Sequence, residues 1–245
     1  MDLKIQNRNT FINNFLSPLN KINENVIVQR HKNRDNELVS LISSSDGTLI
    51  LYCTYKLEYS IDDINLSIPD IGKFVKVLNC VQSDSINLVY DTNCLIYKSD
   101  DIKFKYHLLE DGILTSPPVN IEKIKSLDFN FSFKITYDVI INLLKGSTFT
   151  VDTNKIYFYL ENDCLYGQLT DKQKHNIDSY TQLLTKSYKG DLSEPLPLSF
   201  EVIRTLSSIR FDSVNVSVNT ENNVFVFDIS DDSYKLSYIA SGYTG

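Results

Sequence analysis

The chain of 245 residues contains no tryptophan, one methionine and only eight glycines. These glycines form neither of the patterns that cradle nucleotide phosphates, G-x-x-x-x-G-K-[ST] and G-x-G-x-x-G. A G-x-S-x-G nucleophile turn is also absent, so His107 beside Glu110 and Asp111 has no nucleophile in such a setting. We therefore expect neither nucleotide binding nor enzymatic activity, and no catalytic residue is predicted.

Long apolar runs are absent as well. No stretch of the sequence approaches the roughly 18 apolar residues needed to cross a bilayer, and Met1-Asp2-Leu3-Lys4 does not have the form of a signal peptide. The sequence therefore predicts a soluble protein of the cytoplasm, which means the host cytoplasm if the protein is viral.

Clustered metal ligands are also missing. The four cysteines form no C-x-x-C pair, and only three histidines are available to join them. The acidic pairs Asp62-Asp63 and Asp231-Asp232 lie in turn-like sequence, where solvated carboxylates are the usual case. We expect reduced, mostly buried thiols, no metal and no cofactor. The residues considered are Cys53, Cys80, Cys94, Cys164, His31, His107 and His175.

An internal repeat is the most informative positive feature. A shift of 128 residues takes Pro69 to Pro197, and the same shift relates a basic residue of each half, Lys76 and Arg204. The alternating segment from Ser85 and its counterpart from Ser213 follow at the same shift. Solenoid repeats are roughly 20–50 residues long, so this period indicates two similar domains. Each half reads as a helix followed by three strands.

Four amphipathic helices are predicted, two in each half, from apolar residues at helical spacing. Their ranges are Asn9–Leu16, Pro69–Val81, Ile135–Leu144 and Ser199–Ile209. Pro18 is expected to stop the first helix, Pro69 to open the second and Gly146 to end the third, with Ser199 as a candidate N-cap of the fourth. Their predicted buried residues are Phe11, Ile12, Phe15, Leu16, Ile71, Phe74, Val75, Leu78, Ile140, Ile141, Leu144, Val202, Ile203, Leu206 and Ile209.

Strands make up most of the remaining sequence, which is rich in tyrosine and phenylalanine. The dipeptide Asp46-Gly47 predicts a hairpin turn. Strands are predicted at Val26–Gln29, Glu37–Ser43, Thr48–Tyr55, Phe149–Asp152, Lys155–Glu161, Cys164–Thr170 and Tyr180–Tyr188, in addition to those of the repeat.

The domain boundaries follow from the repeat and from one segment that fits neither pattern. This segment carries Gly112 and Pro117-Pro118. We predict a first domain over residues 1–111, a connector over residues 112–127 and a second domain over residues 128–245.

Taken alone, the net charge of −7 argues against a nucleic-acid ligand, because DNA-binding domains usually carry a basic excess. The distribution of charge changes this interpretation. Acidic residues gather in apparent turns, such as Asp100-Asp101 and Glu161-Asn162-Asp163, whereas lysine and arginine recur on the polar faces of the helices.

Taken together, the duplication, the helix order, the connector and the charge placement resemble the sliding clamps of DNA polymerases, most closely those of the tailed phages, which are similar to proliferating cell nuclear antigen. The resemblance covers nearly the whole chain. It is carried by the segment from Phe11 to Asn20, the span from Ile68 to Gly112 and the closing segment from Tyr234 to Ala240. It implies an α+β DNA-clamp fold with two β-rich domains, each carrying two helices on one face of an antiparallel sheet, and a ring of three chains.

In such a ring the helices line the hole and attract duplex DNA without sequence preference. The basic residues on the predicted inner helices are therefore candidates for facing DNA. Glu201 and Asp138 lie on the same polar faces, so the attraction is expected to be weak. The predicted DNA-facing residues are Lys73, Lys76, Lys145 and Arg204, followed by Arg8, Lys21, Lys134 and Arg210. The opposing interpretation is that these are ordinary solvated helix faces.

The resemblance also implies an apolar groove beside the connector, in which short peptides of partner proteins bind. By position it consists of Ile113, Leu114, Pro117, Val119, Tyr238, Ile239 and Ala240. The alternative is that these residues only close the core. The implied partners are the DNA polymerase, an ATP-dependent clamp loader and, for the phage type, transcription factors.

A second function remains open at this point. A duplicated β-rich structural or adaptor protein of a virion, with no DNA role, also explains the strand content and the acidic charge. It does not explain why amphipathic helices recur at matching places with lysine or arginine outward.

Overall fold

The structure is a computed structural model and describes residues 2–243. Its helices are α1 (Arg8–Phe11), α2 (Ser17–Ile22), α3 (Ile71–Asn79), α4 (Ile121–Lys125), α5 (Tyr137–Ser147) and α6 (Phe200–Leu206), with a π-helical turn (Ile12–Leu16) between α1 and α2.

Residue contacts divide the chain into two units. The first contains the residues up to Val119 together with Ser230–Leu236, and the second contains Asn120–Ile229 together with the residues from Ser237 onward. The boundary near Val119 falls within the predicted connector. Ser230–Leu236, in chain order a part of the second half, belongs to the first unit, where the Lys56 backbone N–H donates to the Ser233 carbonyl at 2.7 Å.

The first unit contains eight strands in two groups. The strands are β1 (Asp2–Ile5), β2 (Val26–His31), β3 (Arg34–Ser43), β4 (Leu49–Lys56), β5 (Asn65–Ile68), β6 (Ile86–Asp91), β7 (Cys94–Lys98) and β8 (Lys103–His107). One group has the order β1-β6-β7-β8, and the other has the order β4-β3-β2-β5. Every pairing within these groups is antiparallel.

The second unit repeats this plan. Its strands are β9 (Phe131–Thr136), β10 (Lys155–Glu161), β11 (Cys164–Leu169), β12 (Tyr180–Thr185), β13 (Tyr188–Lys189), β14 (Leu196–Ser199), β15 (Ser213–Asn219), β16 (Val224–Ser230) and β17 (Tyr234–Ser241), the last of which begins in the first unit. One group has the order β12-β11-β10-β14, and β13, β9, β15 and β16 follow one another in the second group.

The chain order shows a finer repeat than the sequence indicates. Apart from α4 and the two-residue strand β13, each half runs strand, helix, three strands, and then repeats that series with its second helix. The shift of 128 residues fits the buried positions of α3 and α6, because it takes Phe74 to Val202 and Leu78 to Leu206, all of them buried. The N-caps, Asp70 and Ser199, differ by one residue from that shift. The duplication is therefore present in three dimensions.

The first predicted helix is longer than expected, and the predicted stop at Pro18 is wrong. Helical backbone continues from Arg8 to Ile22, and Pro18 lies in the first turn of α2. A proline inside a helix removes a backbone donor and clashes with the carbonyl four residues earlier. The π-helical turn changes the spacing just before Pro18, because the Ser17 N–H donates to the Ile12 carbonyl, five residues back.

Three further sequence predictions need correction. Pro69 precedes α3 rather than opening it, and the N-cap is Asp70, whose side chain accepts the Lys73 N–H. Ile135 lies in β9, paired with Val214, so α5 begins at Tyr137 and runs past Gly146. Within α5 the buried residues are Ile140, Leu143 and Gly146, whereas Ile141 and Leu144 are half-buried, as is Val75 of α3.

The predicted strand Phe149–Asp152 is also wrong, because this segment forms a turn. Its apolar side chains have no core to face, with Phe149 60% and Val151 76% exposed. Alternating apolar residues thus predicted a strand where the chain only connects α5 to β10. The hairpin turn at Asp46-Gly47 is confirmed: β3 and β4 pair antiparallel, and Gly47 has φ +70°.

Aromatic side chains form clusters within the core of each unit. In the first unit Phe11 and Phe15 stack with centroids 5.4 Å apart and both contact the Tyr55 ring. In the second unit the Phe158 ring lies between Phe133 and Phe225, at 5.8 and 5.5 Å. Burying one such side chain contributes about 1.5–3 kcal/mol. The first cluster therefore holds α1 and the π-helical turn against β4, and the second joins β9, β10 and β16.

The cysteines are free throughout. Cys53 and Cys94 are buried, Cys164 is half-buried and Cys80 is exposed. Burial raises the pKa of the Cys53 thiol. Within residues 2–243 no group of three or more histidine, cysteine, aspartate or glutamate side chains is arranged to hold a metal ion.

None of the helices between residues 2 and 243 has the length and apolar character that a membrane crossing requires.

Candidate nucleic-acid interface and partner groove

In the first unit, α2 and α3 pack against each other and carry the main group of predicted DNA-facing residues. Lys21 lies in the last turn of α2, and Lys73 and Lys76 lie on α3; all three are exposed. Arg8 opens α1. No acidic residue occurs within α1, the π-helical turn, α2 or α3. These helices therefore carry a formal charge of +4.

Helix α3 is fixed at its start and along its buried face. The Asp70 side chain accepts the Lys73 N–H at 2.7 Å, which caps the helix. Phe74 packs on the Tyr106 ring with centroids 4.8 Å apart, and Ile71 and Leu78 are fully buried. With that face held in the core, Lys73 and Lys76 point to the opposite side.

Arg8 differs from the other predicted cations, because it is half-buried. Its Nη2 donates to Asn9 Oδ1 at 3.1 Å, and its backbone N–H donates to the Asp84 carbonyl at 2.7 Å. Its Nε and Nη1 are buried, with no hydrogen-bond partner among the described residues. In this conformation Arg8 exposes less of its side chain than the lysines of α2 and α3.

The two helices of the second unit also pack against each other, but their charges balance. Helix α5 carries Asp138 and Lys145, and α6 carries Glu201 and Arg204. The Arg204 guanidinium lies 3.1 Å from Glu201 Oε2, 3.0 Å from Asn154 Oδ1 and 5.0 Å above the Phe200 ring. Arg204 is therefore partly neutralised within its own helix, whereas Lys76 at the equivalent position forms no ion pair with any acid between residues 2 and 243.

The remaining two predicted DNA-facing residues do not lie on helices. Lys134 is an exposed residue of β9, paired with Asn215 of β15, and Arg210 is an exposed residue after the end of α6. The structure thus groups the strongest basic charge on α1–α3 of the first unit. The net charge of the whole chain is −7, so everything outside those helices sums to −11 (−7 − 4).

The connector contains a short helix that the sequence did not indicate. Helix α4 is capped by Asn120, which accepts the Lys123 N–H at 3.1 Å, and it carries two lysines, Lys123 and Lys125. Lys125 pairs with Glu122 at 3.1 Å. No residue of α4 is buried, so an amphipathic pattern could not have revealed it.

A cavity of about 230 Å³ lies under the connector in the first unit. Leu114 and Pro117 line it from the connector side, facing Val26 and Ile27 of β2 and the end of β3. Ile113 is 59% exposed and lies outside this lining, as does the half-buried Val119. Two of the four predicted connector residues of the groove therefore line this cavity, together with polar residues such as Asn23 and Ser116.

The other three predicted groove residues lie in the second unit. Tyr238, Ile239 and Ala240 belong to β17 and are buried, with relative exposures of 0%, 6% and 2%. Their side chains form part of the packing of that strand.

Comparison with known proteins places the fold. No family model matches the chain, and no curated protein matches it in sequence. Among solved structures, the chain is similar to A. fulgidus PCNA bound to the C-terminal region of FEN-1, with a TM-score of 0.77 and 9% identity, covering 100% of this chain and 98% of that one. Proliferating Cellular Nuclear Antigen from Entamoeba histolytica gives 0.78 and 10%, covering 99% and 98%.

A putative DNA polymerase III beta subunit from Eubacterium rectale gives a TM-score of 0.76 and 12% identity, covering 100% of this chain and 66% of that one. The likeness extends over the full chain in each case. At these identities it establishes the fold, which is the fold of the DNA sliding clamps, and it confirms the expected α+β class. The tailed-phage subtype remains a prediction.

Proposed function

We propose that this protein is a sliding clamp that encircles duplex DNA and tethers the replicative DNA polymerase. One observation supports this most directly: within a clamp fold and a chain of charge −7, the first unit's helices carry Arg8, Lys21, Lys73 and Lys76 and no acid. A sliding clamp catalyses no reaction, so the proposed function requires no catalytic residue.

The electrostatics suit a protein that slides. Exposed lysines attract phosphates through long flexible side chains and without reading bases. Two exposed lysines on α3 and one on α2 give a shallow attraction, which does not stop movement along the duplex. The charge of −11 on the rest of the chain repels DNA from other surfaces.

Free sheet edges provide a means of closing the ring. Strand β8 ends the group β1-β6-β7-β8, and β12 ends the group β12-β11-β10-β14, so each has a neighbouring strand on one side only within residues 2–243. An unpaired edge offers a row of backbone donors and acceptors to another chain. We propose that β8 of one copy pairs with β12 of the next, and that three copies close a ring.

The connector cavity supports a partner site. Leu114 and Pro117 line a space of about 230 Å³ with Val26 and Ile27, which is large enough for one or two apolar side chains of a short peptide. We propose that tails of the DNA polymerase, the clamp loader and transcription factors bind here. This part of the proposal depends on residues of the first unit alone, because Tyr238, Ile239 and Ala240 are buried in the second unit and do not line this cavity.

The first test is molar mass by light scattering across a dilution series. We expect a species of about 84 kDa, three times the chain mass of 28.1 kDa, that dissociates only on dilution. A monomer at every concentration would remove the topological mechanism and favour the structural or adaptor function.

A second test separates encirclement from simple adhesion. The protein is diluted below its dissociation midpoint, mixed with nicked circular DNA, concentrated, and passed through a sizing column at high salt. A clamp should elute with the circle, because high salt weakens electrostatic adhesion but does not open a closed ring. It should be lost after the circle is cut, because the ring can slide off the ends of linear DNA. Equal behaviour on circular and linear DNA would contradict encirclement.

A further inference from the structure

A cavity of about 700 Å³ opens in the second unit, and the proposed function makes no use of it. It lies between the start of β10, the loop after β11, the segment leading into β14 and the residues after β17. Tyr157, Tyr243, Pro195 and Pro197 contribute apolar surface to its lining. Its volume lies in the range of about 300–1,000 Å³ that ligand pockets usually have.

The two cavities share only part of their surroundings. Val26, the first residue of β2, lines the connector cavity, and Lys155, the first residue of β10, lines the second one. The segment before β14 and the turn between β15 and β16 line only the second cavity. The two cavities therefore differ in most of their lining and in its chemistry.

The inner wall of the second cavity is polar, but its cation is already neutralised. Lys155 Nζ lies 3.3 Å from Asp171 Oδ1 and 3.1 Å from Gln173 Oε1, and 5.3 Å above the Tyr243 ring. The Lys155 side chain is only 20% exposed. It therefore has little capacity to attract an anionic ligand.

The opening of the cavity is acidic. Asp191 and Glu194 come from the segment before β14, and Glu221 comes from the turn between β15 and β16; all three are exposed. None of the three forms an ion pair with any residue between positions 2 and 243. Three uncompensated carboxylates around an opening favour a cationic guest, and an exposed tyrosine ring adds a cation–π surface.

We propose that this cavity is a second docking groove, and that it binds a peptide segment of a partner protein in which a lysine or arginine lies next to apolar or proline residues. The cationic side chain lies between the carboxylates of Glu194 and Glu221, and its neighbours cover Pro195, Pro197 and the Tyr243 ring; the Tyr157 ring is buried and already carries Lys172 at 4.9 Å. This second groove extends the proposed function to a different class of partner tail from the one bound under the connector. Peptide binding needs neither DNA nor a closed ring.

The test is a selection of peptides from a phage-displayed library of random dodecapeptides on the full chain. Selected peptides are synthesised, and their affinities are measured for the wild type, for Glu194→Lys/Glu221→Lys and for Leu114→Asp, which changes the connector cavity. We expect a class of peptides enriched in lysine or arginine that loses at least about tenfold in affinity with the double lysine variant and keeps its affinity with Leu114→Asp.

Controls separate this effect from net charge and from misfolding. Glu58→Lys/Glu161→Lys makes the same change in net charge at exposed sites elsewhere and should leave binding intact. Glu194→Gln/Glu221→Gln, which is milder, should give a smaller loss in the same direction. The proposal is overturned if no peptide is selected, if every peptide depends only on Leu114, or if peptides sensitive to the double variant lack cationic residues. Failure here leaves the light-scattering and circular-DNA results unaffected, so the two proposals are tested separately.

Discussion

The hydroxyl of Tyr106 bridges the backbone of Asp70 in both directions. It donates to the Asp70 carbonyl at 2.7 Å and accepts the Asp70 N–H at 3.3 Å, while the Asp70 side chain caps α3. One side chain of β8 therefore fixes the first turn of the helix that carries Lys73 and Lys76. Because β8 also ends its group of strands within residues 2–243, the proposed DNA-facing helix and the proposed subunit contact are joined through a single residue.

Tyr106→Phe should lower stability without changing the fold. The change removes the hydroxyl and leaves the Phe74 ring contact in place, so we expect a loss of about 1 kcal/mol in the free energy of unfolding. Burial raises the pKa of Tyr106 to about 12. The neutral hydroxyl is thus favoured in the fold, and its contribution is present below about pH 10 and lost as the pH rises towards 12. Urea unfolding at pH 7 and pH 11 measures both effects; an equal difference between wild type and variant at the two pH values would contradict this linkage.

Charge reversal on the two helix pairs should have unequal effects on DNA binding. Lys73→Glu/Lys76→Glu should lower the slope of log affinity against log salt by about 1.8, since each phosphate contact contributes about 0.9. Arg204→Glu should change it less, because Glu201 and Asn154 already engage that guanidinium. Fluorescence anisotropy with a short duplex gives the slopes. The matched control is Lys32→Glu/Lys189→Glu, at exposed sites away from the helices. An equal decrease in slope with this control would mean that the effect comes from net charge alone.

Two glycines in helices should respond in opposite ways to alanine. A Cβ at Gly146 of α5 would lie 2.2 Å from Tyr180 Cδ1, so Gly146→Ala should destabilise the fold by about 1–3 kcal/mol. A Cβ at Gly72 of α3 would meet its nearest atom, Asp70 Oδ1, at an ordinary 3.4 Å. Gly72→Ala should therefore stabilise the helix by about 0.5–1 kcal/mol. Thermal unfolding decides between them, and stabilisation by both substitutions would show that Tyr180 does not pack on α5 in this way.

Asp171→Asn should weaken the second unit in a pH-dependent manner. The Gln173 N–H, followed by the Lys155 ammonium, lowers the pKa of the Asp171 carboxyl below its usual value. Its contribution to stability is therefore present above about pH 4 and lost as the pH falls through the lowered pKa. We expect the stability difference between wild type and variant to be largest near neutral pH and to shrink below pH 4, measured by urea unfolding. Asp152→Asn, an exposed neighbour, is the control and should show little difference at any pH.

The sequence predicted the parts of the fold where periodicity is strong. β10 is found as predicted, from Lys155 to Glu161, and the duplication and the N-cap at Ser199 are confirmed. It did not predict β1, β5 and β14, because each has four residues and lies directly before a helix, where alternation is too short to detect. The sequence also predicted a strand that contains Phe149 and Val151. A pattern of apolar residues does not show whether those side chains pack against a core, and both are exposed.

The candidate site was predicted unevenly for a related reason. Exposure of Lys73 and Lys76 follows from the apolar face of α3, and this is observed. The hydrogen bond from Arg204 to Asn154, which is 50 residues away in sequence, depends on tertiary structure, so a pattern of sequence spacing does not reveal it. The second cavity brings together five separate segments, so its acidic opening has no local sequence signal.

The membership of Ser230–Leu236 in the first unit has a consequence for synthesis on the ribosome. When Lys56 leaves the exit tunnel, the residue whose carbonyl accepts its N–H, Ser233, is still more than 170 codons away. At about 5–20 residues per second, that interval is roughly 10–35 s. During this interval, one edge of β4 lacks its partner strand, and an incorrect strand or another nascent chain can pair with it. The first unit of this protein is thus completed only after residues 230–236 have been synthesised.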